Sequence, residues 1–189
     1  MQRTSKTKAA LIGATLSIVT GIGVTAAAPA QRSQIAPAYK ALDDFVGDWT
    51  GDATLFISPG LPPTEEQASE SSQKVGQFWV TSRLETKYMG KPTSEVLMLG
   101  WNGSANQATG SIFSSNDPVP RTVTGNYDKA SNTWVLFHDT LNSAGTVVPA
   151  KTKIHIDERH GQRTTQRFHL LGEKFESLAM EVHSSKRGR

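Results

Sequence analysis

The stretch Phe78-Trp79-Val80-Thr81-Ser82-Arg83-Leu84-Glu85-Thr86-Lys87-Tyr88 decides how the chain is read. In an extended backbone Phe78, Val80, Leu84 and Tyr88 fall on one face, and Thr81, Arg83, Glu85 and Lys87 on the other. That alternation marks a strand with one buried face. Downstream, turn-forming clusters recur at strand spacing: Asn102-Gly103, Asn116-Asp117-Pro118, Asp128 to Asn132, Asn142 to Gly145, Glu158 to Gly161 and Gly172-Glu173. They bound strands over Thr93 to Trp101, Ala108 to Ser115, Arg121 to Tyr127, Thr133 to Leu141, Thr146 to Asp157, Arg163 to Leu171 and Lys174 to His183. Upstream, Asp48 to Ile57 reads as the first strand, Leu61 to Gln67 as a polar loop and Ser69 to Val75 as a pairing segment. About ten strands in local hairpins predict an all-β fold, an antiparallel up-and-down β-barrel rather than a sandwich, because closure leaves no edge to aggregate.

Before the first strand, Tyr39, Leu42, Phe45 and Val46 recur at helical spacing, predicting a short helix over Ala38 to Val46 that caps one barrel end. Further upstream, Arg3, Lys6 and Lys8 precede an apolar run from Ala9 to Val24 and then Ala28-Pro29-Ala30. This is the pattern of a secretory signal over residues 1–30, cleaved after Ala30, with the uncleaved membrane anchor as its alternative. The expected organisation is therefore a signal peptide at 1–30, a linker at 31–37, the barrel at 38–183 and a basic flexible tail at 184–189. The expected location is the periplasm or the exterior, with no stable membrane insertion after cleavage. The absence of Cys suits such a protein.

The formal charge of +3 is carried by Arg3, Lys6 and Lys8 in the first 30 residues. Beyond residue 30 the basic and acidic side chains number 17 each, and the only basic cluster is Lys186, Arg187 and Arg189. A nucleic-acid face needs clustered cations to displace counterions, so no nucleic-acid partner is expected. Oligomeric state is not legible in the sequence.

Catalytic signatures are absent. Thr109-Gly110-Ser111-Ile112-Phe113 has one of the two glycines of a nucleophile elbow, and Glu65-Glu66 diverge as neighbours in a polar stretch. No catalytic residue is nominated. The five histidines, at 138, 155, 160, 169 and 183, lack the spacing that puts two metal ligands on one face, so no metal site is expected.

Several stretches together resemble the lipocalin-like, or calycin, barrels, and more closely a bacterial lipocalin-like family of domains of unknown function. They are Leu42 to Gly51, Met89-Gly90-Lys91-Pro92, Leu99-Gly100-Trp101-Asn102, Gly125-Asn126-Tyr127-Asp128 and Met180-Glu181-Val182. The resemblance implies the barrel fold and lends no reaction. Gly47, Trp49 and Gly51 are then the structural plug of the closed end, and the late basic residue that covers such a Trp is sought in Arg167 or Arg187.

A two-residue turn at Gly172-Glu173 sets His169 opposite Glu176 and gathers Gln166, Phe168, Leu170, Phe175, Glu181 and His183 on one face. These six are the expected ligand-binding residues of the barrel interior. The favoured function is the binding of a small apolar, amphipathic or lipid-like molecule with no cofactor. One alternative is a haem-binding barrel resembling nitrobindin and acting on reactive nitrogen species, with His183 or His138 as axial ligand; Ala53 departs from its Gly-x-Trp-x-Gly-x-Gly signature. Another is an envelope interaction domain whose barrel is filled.

Overall fold

The computed structural model describes residues 37–188 apart from Pro59 and Glu173. The signal expected over 1–30, and all of the expected linker but Pro37, lie outside the described residues. One helical turn, α1 (Pro37–Ala41), passes into a 3-10 turn (Leu42–Phe45) where a single helix was expected. Val46 is then extended, and Gly47, at φ +133°, enters β1 in a conformation that favours glycine.

Ten strands follow: β1 (Gly47–Leu55), β2 (Thr64–Val75), β3 (Trp79–Tyr88), β4 (Lys91–Asn102), β5 (Gln107–Ser114), β6 (Asp117–Asp128), β7 (Thr133–Leu141), β8 (Val147–Asp157), β9 (Gln162–Leu170) and β10 (Glu176–Lys186). Each pairs antiparallel with its sequence neighbours, and β1 closes on β10, so the sheet is a closed up-and-down barrel. The turn at Asn102 forms as the sequence predicts, its Oδ1 accepting from the backbone N–H groups of Ser104 and Ala105.

Two stretches read as irregular are strands. Glu65, Glu66 and Gln67 belong to β2, where Glu65 accepts from Thr54 and Gln67 donates to Asp52 across the β1 pair. Ser184, Ser185 and Lys186, expected in a flexible tail, complete β10. The backbone N–H of Lys186 donates to Gly161, and that of Arg187 to Asp48, both at 2.8 Å.

The interior is layered. At the closed end, Leu42 and Phe45 seal a core of Trp49, Trp134, Leu99 and Val80, with Trp101 and Tyr127 packed edge-on or tilted against Trp134. Trp49 is 2% exposed and donates its indole N–H to the Phe45 carbonyl at 2.9 Å, tying strand to cap. Gly51 is required by a close approach: a Cβ there would fall 1.8 Å from the His183 carbonyl oxygen. The residue covering Trp49 is Arg163, its guanidinium 4.4 Å from the ring centre, with the Lys186 ammonium at 5.4 Å. Neither Arg167 nor Arg187 takes this position; Arg167 lies two inward positions further along β9 and is committed to Glu95.

Candidate functional site

Beyond the tryptophan layer, strands contribute charged side chains to the lumen. Glu70 from β2 pairs with Arg163 from β9 and accepts from the hydroxyls of Ser72 and Ser82. Burial pushes the Glu70 carboxyl above its ordinary range, an effect the Arg163 charge only partly offsets. Across the lumen, Arg167 from β9 grips Glu95 from β4 with two parallel bonds, Nη1 to Oε2 at 3.0 Å and Nη2 to Oε1. Burial alone would raise the Glu95 carboxyl, but the guanidinium outweighs it and holds the carboxyl below the usual range.

His138 of β7 completes this layer. Its Nδ1 lies 2.9 Å from the Asp139 carbonyl, which can only accept, so Nδ1 carries the proton; Nε2 then accepts from the Thr152 hydroxyl at 2.8 Å. Burial, reinforced by the Arg167 charge, lowers the imidazole to about 4, and it is neutral at pH 7.

Above the polar layer the lumen opens into a cavity of about 530 Å³ at the end opposite α1, a volume that suits a small organic ligand. Its mouth is rimmed by the β3–β4, β5–β6 and β7–β8 hairpins. One side of its wall is apolar, formed by Leu55 of β1, Leu84 and Tyr88 of β3, and Met180 of β10. The other side carries Arg121 paired to Asp117 on β6, His138 on β7 and His169 on β9. Bulges interrupt the ladders next to Ile112 on β5 and Met180 on β10, both on the cavity wall.

The six residues expected inside are not on this wall. Gln166 and Glu181 hydrogen-bond at 2.6 Å on the outer surface, where Phe168 lies under the ammonium groups of Lys151 and Lys153. The side chain of His183 is 62% exposed, beside Glu181 and Thr164. Leu170 ends β9 on the same outer face, and Phe175 sits in the β9–β10 connection at 72% exposure. The connection is also longer than two residues, spanned by a bond from the Leu171 N–H to the Phe175 carbonyl, so His169 faces Ser177 rather than Glu176. A bulge at Ala179 restores the parity, which keeps Gln166, Glu181 and His183 together on one face. That face is outward because the opposite one carries Arg163 and Arg167 to their carboxylates inside.

The two histidines considered as haem ligands are not brought together. His183 points away from the lumen, and both ring nitrogens of His138 are engaged. Among the described residues, no three His, Asp or Glu side chains converge to hold a metal ion.

Sequence reasoning did not single out Glu95 or Arg121, and it gave Arg167 and His169 other roles, a cover for Trp49 and a partner of Glu176. A signal was present at Glu95, which shares a strand face with Leu97, Leu99 and Trp101; Glu70 carries none, because Thr64, Glu66, Ser72 and Lys74 make its face of β2 polar. An acid on an otherwise apolar face demands a buried cation, and Arg163 and Arg167 lie four residues apart on one face of one strand.

Comparison with known proteins agrees with this architecture. The family described as "Protein of unknown function (DUF1579)" matches residues 35–186. The crystal structure of Rv2717c from M. tuberculosis superposes with a TM-score of 0.61 at 17% identity, over 81% of this chain and 99% of that one. At that identity the likeness concerns the fold. No curated protein matches the chain.

Proposed function

The chain belongs to the DUF1579 family of proteins of unknown function, and from that premise we propose that it is an exported lipocalin-like barrel that binds a small apolar or amphipathic molecule in its open-end cavity. The observation that carries the reading is the cavity itself, about 530 Å³ between an apolar wall and a polar one. A purely structural barrel gains stability by filling its lumen, and the closed end is filled in that way. Export is supported by the basic start, apolar run and Ala28-Pro29-Ala30. N-terminal sequencing of protein taken from cells is expected to begin at Gln31; a membrane-bound chain retaining Met1 would contradict it.

Binding is tested with N-phenyl-1-naphthylamine, a neutral apolar probe whose fluorescence rises in dry surroundings. We expect saturable one-to-one binding, weakened by Thr86→Trp, which places a large ring in the cavity without altering a buried ion pair. Fluorescence that rises linearly without saturation, or that ignores the Thr86 substitution, would overturn the assignment.

A further inference from the structure

We propose that the ligand is an amphipathic monoanion, a carboxylic acid with an apolar body, and that its carboxylate binds the β9 side of the cavity at His169. This rests on the cavity being a binding site and adds the class of ligand and its orientation. The polarity of the cavity is divided across its width. Leu55, Leu84 and Met180 on one side offer only apolar contact, so the ligand's body belongs there. On the other side the two inward carboxylates are already matched, Glu95 by Arg167 and Asp117 by Arg121, and Asp139 lines the cavity from an exposed position on β7. His138 is also spent, on Asp139 and Thr152.

His169 differs. It lines the cavity two residues from Arg167 on the same inward face, and it makes no hydrogen bond among the described residues. Across the sheet it pairs with Ala150, which also pairs with His138, so a short methyl side chain separates the two imidazoles and leaves room in front of them. A ligand cation would meet Arg167, Arg121 and the mouth residues Lys87 and Lys91, with the exposed Asp139 as the one lining carboxylate that makes no ion pair among the described residues. An anion meets a free imidazole beside a guanidinium, and a charge-assisted hydrogen bond there favours an acid over its neutral analogue. Burial and the Arg167 charge hold the His169 imidazole below its ordinary range in the absence of a ligand, and a bound carboxylate reverses that influence.

The test is displacement of N-phenyl-1-naphthylamine by three compounds with one tail: dodecanoate, dodecan-1-ol and dodecyltrimethylammonium. Dodecanoate is expected to displace at a concentration about ten-fold lower than dodecanol, the equivalent of one charge-assisted bond. The cation is expected to be the weakest. His169→Leu should bring dodecanoate to the level of dodecanol, with circular dichroism confirming the barrel, whereas Lys91→Met should leave the preference in place. Equal displacement by acid and alcohol, or a preference lost in Lys91→Met and kept in His169→Leu, would overturn the proposal while leaving the cavity a binding site. Failure of the probe itself to bind would overturn both.

Discussion

Trp49 shows how one side chain couples the layers of the molecule. Its ring fills the closed end, its N–H is bound by the cap, and its face supports the Arg163 guanidinium that neutralises Glu70. Trp49→Ala is expected to cost about 3 to 5 kcal/mol, the range for deleting a large buried aromatic and leaving a cavity. An unchanged urea midpoint in that variant would contradict its burial. His138 makes a separate prediction about pH. Its folded value of about 4 lies below the 6.5 of an unfolded histidine, so between those limits the unfolded chain binds a proton that the folded chain does not. The stability tied to keeping it neutral is full above about 6.5 and falls as pH drops toward about 4, by about 3 kcal/mol in all. Urea unfolding of wild type and His138→Gln across that window checks it: the loss should be steeper in wild type, and parallel curves would contradict the burial of a neutral imidazole.

Among the elements, the cap turn is held by a small acidic cluster. Asn132, at the β6–β7 turn with φ +47°, donates to the Ile156 carbonyl at 2.9 Å and to Asp44 at 3.4 Å, and accepts from the Tyr127 hydroxyl. Burial, then hydrogen bonding and repulsion from Glu158, raise Asp44 to about 6. A folded value above the unfolded one means a stabilising contribution present below about 3.8 and lost as pH rises through about 6. Asp44→Asn is expected to remove that dependence, so the stability difference between wild type and variant should shrink as pH falls from 7.5 to 5. A constant difference would contradict the shared burial of these acids. The strand that sequence reading misjudged is β9. Its apolar side chains Phe168 and Leu170 alternate with Arg163, Arg167 and His169, and the rule that apolar faces turn inward sends the wrong set into the lumen. The rule fails because the partners that draw the arginines inside, Glu70 and Glu95, lie on β2 and β4, far away in sequence. By contrast β3 was legible: Val80, Leu84 and Tyr88 face inward as their alternation predicts, and only Phe78 lies outside, packed edge-on against Tyr39 of the cap at 5.2 Å.

At the scale of the whole molecule, hairpin rhythm carries the fold and side-chain pairing carries the site. Closure follows from an even run of antiparallel neighbours ending in β1 against β10, which the turn signals make visible. The division of the lumen into a packed end, an ion-paired middle and an open cavity depends on which side chains meet across the barrel, information that no local window holds. The cavity reading requires the open end to hold a ligand in the living cell. Native mass spectrometry of the protein purified from its own cells decides the matter. Folded chains are expected to carry one small organic acid, released on collisional activation. Chains that arrive bare, from a preparation that also fails to take up N-phenyl-1-naphthylamine, would contradict it.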